Sequence, residues 1–398
     1  MLKIFLVLFS LIFFSNVANA TESNLETERM RLICALSSLA AYSGDEGTTA
    51  KNFLERRGWK ITDLENSSGK INVKMHLMSK DNAKIFFFTG TEDLKDIAVD
   101  MNIALVPLND ADSILVHRGF KDYADAALSG GNLETLLDYM KKNPDEKIYI
   151  TGHSLGGAIA IMSAVKLADA GADMSRIEVI TFGAPSVGNK EFASAYQNKI
   201  NLTRIFMKSD PISKTLKIFG YEHFGEDVKY KEVEEHRKSF HAMILYLDRA
   251  IRNYYDAGGF SAENNLPIYI APINIVKDDF KNADKKYLKL ILRDSFGKKI
   301  DFAEIKKPTD FAFDVAKYLT PAKNAGCQYI VFQMVQAKPI RDSRPSASRI
   351  IIEETICDLK GFPVAMNSSS STTTEWTVLE SILFAQENLS VSRKNLFD

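Results

Sequence analysis

The stretch that decides the fold is KIYITGHSLGGAIAIMSAVKLADAG, which runs from Lys147 to Gly171. Gly152 and Gly156 flank Ser154 at the point where a predicted strand, Ile148–Thr151, meets a helical pattern. The bare pattern Gly-x-Ser-x-Gly is weak evidence, because chance supplies it in about one chain in ten of this length. Its setting is stronger evidence: at such a turn the serine hydroxyl stands above the sheet edge, and the helix N-terminus directs backbone N–H groups at the same spot. The stretch therefore predicts a nucleophile beside an anion site, with a glycine-rich turn and an idle serine as the alternative.

The composition is that of an ordinary globular protein. The chain has 398 residues, of which 45% are hydrophobic and 25% charged. This length exceeds one average domain. A formal net charge of −1 creates no field that would gather nucleic acid or an anionic membrane surface, so we expect no nucleic-acid partner.

The first twenty residues have the pattern of a signal peptide. Lys3 precedes an apolar run, Ile4–Phe14, and Ala18-Asn19-Ala20 offers the small-x-small pattern at which signal peptidases cut. The apolar run is too short to span a bilayer comfortably. We expect residues 1–20 to be removed and the mature chain to begin near Thr21. The protein would then be exported, either secreted or retained in the periplasm or cell envelope, with an uncleaved N-terminal anchor as the alternative.

The three cysteines predict no metal site, because their spacing matches none. Export would permit a disulfide between Cys327 and Cys357, which both lie in strand-like runs. Cys34 lies in a helical run and is expected to be a buried small hydrophobic residue.

Two domains are predicted from the order of the elements. Over residues 21–258, apolar strands alternate with helical patterns, which indicates the α/β class with a mostly parallel sheet covered by helices. One long helix is predicted over Phe120–Lys142. A glycine-rich polar linker, Asp256–Asn265, leads to a small α+β domain of unknown role over 266–398. The low-complexity stretch at 367–375 is expected to be polar and flexible.

Several motifs resemble those of the class 3, fungal-type lipases of the α/β-hydrolase superfamily. In order, the motifs are IFFFTGTEDLKDIAVDMN, VHRGF, GHSLGGA, VITFGAPSVGN, RIFMKSDPIS and YEHFGE. They cover about residues 25–250. Two positions depart from the family pattern: Thr89 replaces the usual arginine, and Ile97 replaces the usual tryptophan. The resemblance implies an α/β-hydrolase-type sheet and serine-dependent hydrolysis of acyl esters.

A catalytic triad is predicted around the serine. A serine hydroxyl is a weak nucleophile until an imidazole takes its proton and an acid holds that imidazole in place. In α/β-hydrolases the chain order is serine, acid, histidine. Asp210 directly follows a predicted strand, and the resemblance assigns the acid there. Among the later histidines we favour His241, with His236 and His223 as alternatives; the family's histidine at the position of His223 is structural.

The remaining histidines are assigned minor roles. His153 lies beside the nucleophile in the elbow, and its side chain is expected to point away from the reaction. His117 is expected to belong to the scaffold and His76 to the surface.

The oxyanion of acyl transfer needs two donors. The elbow positions the backbone N–H of Leu155, and the resemblance places the second donor at Thr91. The following segment predicts a helix whose apolar residues fall at i, i+3, i+4 and i+7, and this candidate lid consists of Leu94, Ile97, Ala98 and Met101. The stripe fits either a mobile lid over an acyl pocket or fixed packing.

We therefore expect an exported serine carboxylester hydrolase, most of all a lipase that cleaves glycerolipids through an acyl-enzyme. Phospholipase A1 activity or hydrolysis of soluble esters is the alternative, since fold alone does not select substrate. A catalytically silent cell-envelope binding protein is a second alternative. Partners would be the lipid or ester substrate, with transient contact to a lipid surface, and an unknown envelope partner for the C-terminal domain. Neither a metal nor an organic cofactor is expected.

Overall fold

The computed structural model describes residues 23–68, 71–90, 104–109, 113–233, 240–259, 268–276, 280, 282–296, 315–340, 347–374 and 376–397. The chain divides into two compact units, Met1–Ile251 and Arg252–Asp398. The predicted signal peptide, residues 1–20, lies outside the described residues. Within the described ranges, no helix combines the length and apolar character that a membrane span requires.

The N-terminal unit is built on a seven-stranded sheet with a smaller four-stranded sheet beside it in the same unit. Its strands are β1 (Lys60–Ser68), β2 (Ile71–Lys80), β3 (Ala83–Phe88), β4 (Leu105–Pro107), β5 (Leu115–His117), β6 (Lys147–His153), β7 (Ile177–Phe182), β8 (Gly188–Asn189), β9 (Asn201–Met207), β10 (Tyr221–Glu222) and β11 (Glu226–Tyr230). The large sheet has the order β1-β2-β3-β6-β7-β9-β11, and the small one β10-β8-β5-β4.

Most of the large sheet is parallel. Strands β1, β2 and β3 pair antiparallel, and from β3 through β6, β7 and β9 to β11 every pairing is parallel. Strand β6 is buried at every position after Lys147, as expected for a central strand covered on both faces. The predicted α/β-hydrolase-type architecture of this region is therefore confirmed.

Eight helices are described in the N-terminal unit. They are α1 (residues 23–40), α2 (Asp45–Arg56), α3 (Arg118–Ala127), α4 (Asn132–Lys142), α5 (Leu155–Asp169), α6 (Lys190–Tyr196), α7 (Ile212–Thr215) and α8 (Met243–Asp256). Helix α5 is apolar on nearly all sides and contacts β6 and β7. The single helix predicted over Phe120–Lys142 is wrong. Gly130 and Gly131 have φ values of 64° and 87°, which interrupt a right-handed helix, and α3 and α4 form instead.

The C-terminal unit is a separate α+β structure. Its strands are β12 (Ile268–Ile270), β13 (Asn274–Val276), β14 (Tyr329–Pro339), β15 (Ser348–Asp358) and β16 (Pro363–Thr372), and its helices are α9 (Asn282–Ser295), α10 (Ala316–Asn324) and α11 (Val378–Phe397). β14, β15 and β16 pair antiparallel, whereas β12 and β13 both pair parallel with β14. α11, which packs on β15 and β16, is a helix that the sequence analysis did not predict.

The flexible stretch predicted at 367–375 is wrong where the structure describes it. Residues 367–372 complete strand β16 and pair with β15. The amide of Asn367 also donates a hydrogen bond of 3.3 Å to the Glu354 carboxylate. Low-complexity composition indicates weak burial, but a neighbouring strand supplies backbone hydrogen bonds that do not depend on apolar side chains.

The three cysteines are free thiols. Cys34 is fully buried, as expected, and burial raises the pKa of its thiol. Cys357 and Cys327 belong to the same apolar cluster of the C-terminal unit without forming a disulfide.

Candidate active site

Ser154 lies at a strained turn between β6 and α5. Its φ of 56° and ψ of −124° are unusual for a residue other than glycine. The two flanking glycines are required by close packing. A Cβ atom at Gly152 would collide with the backbone of Gly156, and one at Gly156 would collide with the carbonyl oxygen of Phe88. The predicted strand–turn–helix elbow is therefore present.

The Ser154 hydroxyl is buried but has no partner. The residue is 1% exposed, and no hydrogen bond joins its Oγ to any residue that the structure describes, His241 included. Catalytic hydrogen bonds often tighten only when a substrate binds, so this geometry leaves Oγ available to a reactant. Leu155 is the first residue of α5, and its amide stands at the helix N-terminus where developing negative charge is favoured.

An acid–histidine pair lies in the same unit. Asp210 follows β9 by three residues and is completely buried. Its Oδ2 accepts a hydrogen bond of 2.7 Å from Nδ1 of His241, and its Oδ1 accepts one of 2.9 Å from the amide of Ile212. His241 is 2% exposed. The structure therefore brings together the predicted acid and the favoured histidine, with the acid held so that it fixes the orientation of the imidazole ring.

Tyr246 completes the surroundings of the acid. Its hydroxyl donates a hydrogen bond of 2.5 Å to Oδ2 of Asp210. Burial and the neighbouring Asp210 charge raise the pKa of Tyr246 well above its usual value, so the hydroxyl remains a donor. The sequence analysis did not assign this residue. The signal was its place in the first turns of the helix that follows the favoured histidine.

Gly183 makes room for this cluster. It follows β7 with a φ of 57°, and a Cβ atom there would lie 2.7 Å from Oδ2 of Asp210 and 3.1 Å from Cε1 of His241. A side chain at position 183 would therefore displace the acid–histidine pair. The role of Gly183 could not be predicted from the sequence, because a position that must lack a side chain has no reactive group to reveal it.

The side chain of His153 was expected to point away from the reaction, and this prediction is wrong. Its Nε2 lies 2.8 Å from the backbone oxygen of His241, and its Nδ1 lies 2.6 Å from the hydroxyl of Tyr42. Burial lowers the pKa of His153 well below 6.5, so the ring is neutral: Nε2–H donates to the carbonyl and Nδ1 accepts from the tyrosine. The residue beside the nucleophile therefore holds the backbone of the favoured histidine.

Thr89 is held near the end of β3 by a second polar chain. Its hydroxyl donates to the backbone oxygen of Ala41 at 3.0 Å and lies 3.3 Å from Nε2 of His76. Nδ1 of His76 lies 2.8 Å from the Asp63 carboxylate. His76 is 8% exposed, so its predicted surface position is wrong: it stacks on Phe87, and burial lowers its pKa. Thr89 makes these contacts at the position where the class 3 lipases, which this sequence resembles, usually have an arginine.

Several predicted residues lie outside the described residues. They are Thr91, the alternative histidine His236, and the candidate lid Leu94, Ile97, Ala98 and Met101. The other alternative, His223, lies 2.7 Å from the backbone oxygen of Ser213 through Nε2, and burial lowers its pKa to about 3. His117 caps α3 through Nδ1, and burial lowers its pKa to about 4. Both therefore have structural positions.

In the described part of the chain, no group of three or more His, Cys, Asp or Glu side chains is arranged to hold a metal ion.

Part of the N-terminal unit is similar in sequence to known lipases. Residues 85–219 match the family model for lipase (class 3). The lipase of Rhizomucor miehei is 30% identical over 149 residues, which cover 35% of this chain and 39% of that protein. Phospholipase A1-II 1 of Oryza sativa subsp. japonica is 27% identical over 221 residues, or 48% of this chain and 56% of that protein. The secreted mono- and diacylglycerol lipase 1 of Fusarium solani is 33% identical over 111 residues, or 27% of this chain and 32% of that protein.

The chain also aligns in part with solved structures. The triacylglyceride lipase of Rhizomucor miehei aligns with a TM-score of 0.44 and 21% identity, covering 52% of this chain and 80% of that one. The chain spans between about a third and a little over half of the length of these curated relatives.

Proposed function

We propose that the protein is a serine carboxylester hydrolase that cleaves acyl esters of glycerolipids, because residues 85–219 match the family model for lipase (class 3). The observation that carries the proposal is the buried pair of Asp210 and His241, 2.7 Å apart, in the same unit as a strained serine whose hydroxyl has no partner among the described residues. Backbone strain and an unsatisfied buried hydroxyl both cost free energy, so their coincidence at one residue favours a catalytic role.

The proposed reaction passes through an acyl-enzyme. His241 takes the proton of Ser154 as Oγ attacks the ester carbonyl carbon, and Asp210 stabilises the imidazolium. The amide of Leu155 donates to the tetrahedral oxyanion, and Thr91 is proposed as the second donor. As the ester C–O bond breaks, His241 returns the proton to the leaving alcohol. Water then attacks the acyl-enzyme with His241 as base, which releases the fatty acid and restores Ser154.

Phospholipase A1 activity is the second candidate. The rice protein named phospholipase A1-II 1 matches 221 residues, a longer segment than the 149 residues matched by the Rhizomucor miehei lipase. We also propose that the protein is exported, on the strength of its first twenty residues.

Labelling with a fluorophosphonate tests the activated serine. Only a serine whose proton is taken by a neighbouring base reacts with this class of reagent. We expect stoichiometric labelling that peptide mapping locates at Ser154. Absence of labelling in the folded protein would instead support a catalytically silent envelope protein.

A substrate panel tests the ester class. We expect release of fatty acid from emulsified triacylglycerol, from phosphatidylcholine vesicles, or from both, and release from the sn-1 position alone would identify a phospholipase A1. Hydrolysis restricted to a dissolved short-chain ester would contradict the glycerolipid assignment.

A further inference from the structure

The exposed large apolar side chains of the N-terminal unit are not scattered. Among its described residues they are Ile218, Phe219 and Phe240, which are 83%, 46% and 59% exposed. All three are close in sequence to Asp210 or His241, which are joined by a hydrogen bond. Ile218 and Phe219 end the turn that follows Asp210, and Phe240 immediately precedes His241. Exposed apolar residues that occur together, rather than singly, indicate an interaction surface.

Helix α7, which leads into the turn that carries Ile218 and Phe219, is fixed to Asp210. The amide of Ile212 donates to Oδ1 of Asp210, and the hydroxyl of Ser213 donates to its backbone oxygen at 3.2 Å. Leu216 is buried and anchors the next turn, Leu216–Phe219. The apolar side chains are therefore presented by a braced segment.

Lysines surround these apolar residues. Lys208, Lys214 and Lys217 are exposed in the segment 208–220, whose single acidic residue, Asp210, is completely buried. The exposed acids that follow the segment are Glu222, Glu226, Asp227, which pairs with Arg204, and Glu232, which binds Ser209. The exposed surface of the segment is thus purely cationic, in a chain whose formal net charge is −1.

We propose that Ile218, Phe219 and Phe240, together with Lys208, Lys214 and Lys217, form a docking surface for a phospholipid membrane that carries anionic headgroups. This inference deepens the proposed function and rests on it. Apolar side chains that enter the acyl region and lysines that contact the headgroups are the two contributions by which proteins bind the surface of a bilayer. A second copy of this chain fits poorly, because a symmetric contact through the same patch would bring six lysines together. An oil droplet without charge would use only the apolar half of the surface.

The test is vesicle sedimentation of the full chain carrying Ser154→Ala, so that binding is measured without hydrolysis. Vesicles of phosphatidylcholine alone are compared with vesicles containing 30 mol% phosphatidylglycerol. Because each lysine at an anionic surface contributes about a fivefold gain in affinity, we expect Lys214→Gln/Lys217→Gln to weaken binding to the anionic vesicles about 30-fold. We expect Ile218→Ser/Phe219→Ser to weaken binding to the anionic vesicles at least about tenfold.

Matched controls separate this surface from general stickiness. Lys141→Gln/Lys142→Gln removes two exposed lysines elsewhere in the unit, and Phe362→Ser/Met366→Ser removes two exposed apolar side chains from the C-terminal unit. Both controls should bind as the Ser154→Ala parent does.

Three results would overturn the proposal: equal binding of the parent to both vesicle types, equal loss in the controls, or self-association of the parent that the patch variants abolish. Since binding is measured without catalysis, failure here is distinct from failure of fluorophosphonate labelling.

Discussion

A buried polar group at the N-terminal site differs in its hydrogen bonding from a buried polar cluster in the C-terminal unit. In the N-terminal unit, the Ser154 hydroxyl is buried and has no hydrogen-bond partner in the described chain. In the C-terminal unit, Arg393 donates to both oxygens of Glu354, at 2.9 and 3.0 Å from Nε, and the Gln333 and Gln386 amides donate to each other at 3.2 and 2.7 Å. The side chains of the C-terminal cluster pair with one another, whereas the Ser154 hydroxyl pairs with none of the described residues. A closed polar network stabilises a fold, and an unpaired buried hydroxyl on a strained turn indicates a place for a reactant.

Backbone strain follows the same division. Ser154 has a positive φ, whereas the positive-φ residues described in the C-terminal unit are glycines, at Gly258, Gly326 and Gly361. Glycine adopts that conformation without steric cost, and serine does not. Strain therefore coincides with the open hydroxyl and is absent from the described closed network.

The largest expected effect is that of Ser154→Ala. Loss of the nucleophile should lower kcat for ester hydrolysis on the order of 10⁶-fold. The matched control is Ser163→Ala, which removes another buried serine hydroxyl from the same helix, α5. Steady-state kinetics with a dissolved ester measures both variants. The Ser163 hydroxyl, like that of Ser154, has no partner among the described residues, so full activity in Ser154→Ala, or equal losses in the two variants, would show that Ser154 is not the nucleophile.

The second effect is on stability and belongs to the closed network. Arg393→Met leaves the Glu354 carboxylate buried without its cation, which should lower the free energy of unfolding of the C-terminal unit by about 3–5 kcal/mol. Each unit has one tryptophan, Trp59 or Trp376, and both are buried. Fluorescence of Trp376 in a Trp59→Phe background therefore follows unfolding of the C-terminal unit in urea.

Arg393→Met should leave fluorophosphonate labelling at Ser154 unchanged while the C-terminal transition moves. Arg393→Met/Glu354→Leu removes both charges and should recover part of the lost stability, because an uncompensated carboxylate is no longer buried. A loss of labelling that exceeds the loss of folded protein would show that the network serves the reaction.

The third expected effect is a difference between the two units in the pH dependence of their stability. All six histidines lie in the N-terminal unit, and burial lowers the pKa values of His117, His153 and His223. Below pH 6.5 the unfolded chain binds protons at these rings while the folded chain does not. Stability therefore falls as the pH falls from 6.5 to 5, by about 1.4 kcal/mol per pH unit for each histidine.

Trp59 in a Trp376→Phe background reports the N-terminal unit, and Trp376 in a Trp59→Phe background reports the other. Urea midpoints at pH 7 and 5 should move for Trp59 and much less for Trp376. His117→Gln should reduce the shift of the Trp59 transition. Equal shifts of the two transitions would mean that the buried histidines do not set the pH dependence.

The sequence predicted the parts of the site that have local signatures. Ser154 lies between glycines at a strand–helix boundary, and Asp210 follows a strand before a proline, so both could be proposed without a structure. Hydrogen bonds between residues far apart in the sequence, which hold the catalytic side chains in place, could not be predicted. The contact of Tyr42 with His153 joins residues 111 positions apart, and no periodicity records which hydroxyl will meet which ring.

The fold shows the same limit. Helix α5 was predicted, but the strand at Pro363–Thr372 was not, because its stability comes from backbone pairing with β15 rather than from its own composition.

The smallest expected effect tests whether the hydrogen bond between Tyr42 and His153 contributes to catalysis or only to stability. Tyr42→Phe removes the hydroxyl that donates to Nδ1 of His153, so His153 would hold the backbone of His241 less firmly. A hydrogen bond of this kind contributes about 1 kcal/mol, so we expect about a fivefold fall in kcat with little change in KM. The matched change in the C-terminal unit is Tyr255→Phe, which removes a buried hydroxyl that donates to Asp294 at 2.9 Å and should affect stability alone. If both variants lowered stability and neither lowered kcat, the Tyr42–His153 hydrogen bond would contribute to the fold alone. It would then play no part in positioning the catalytic histidine.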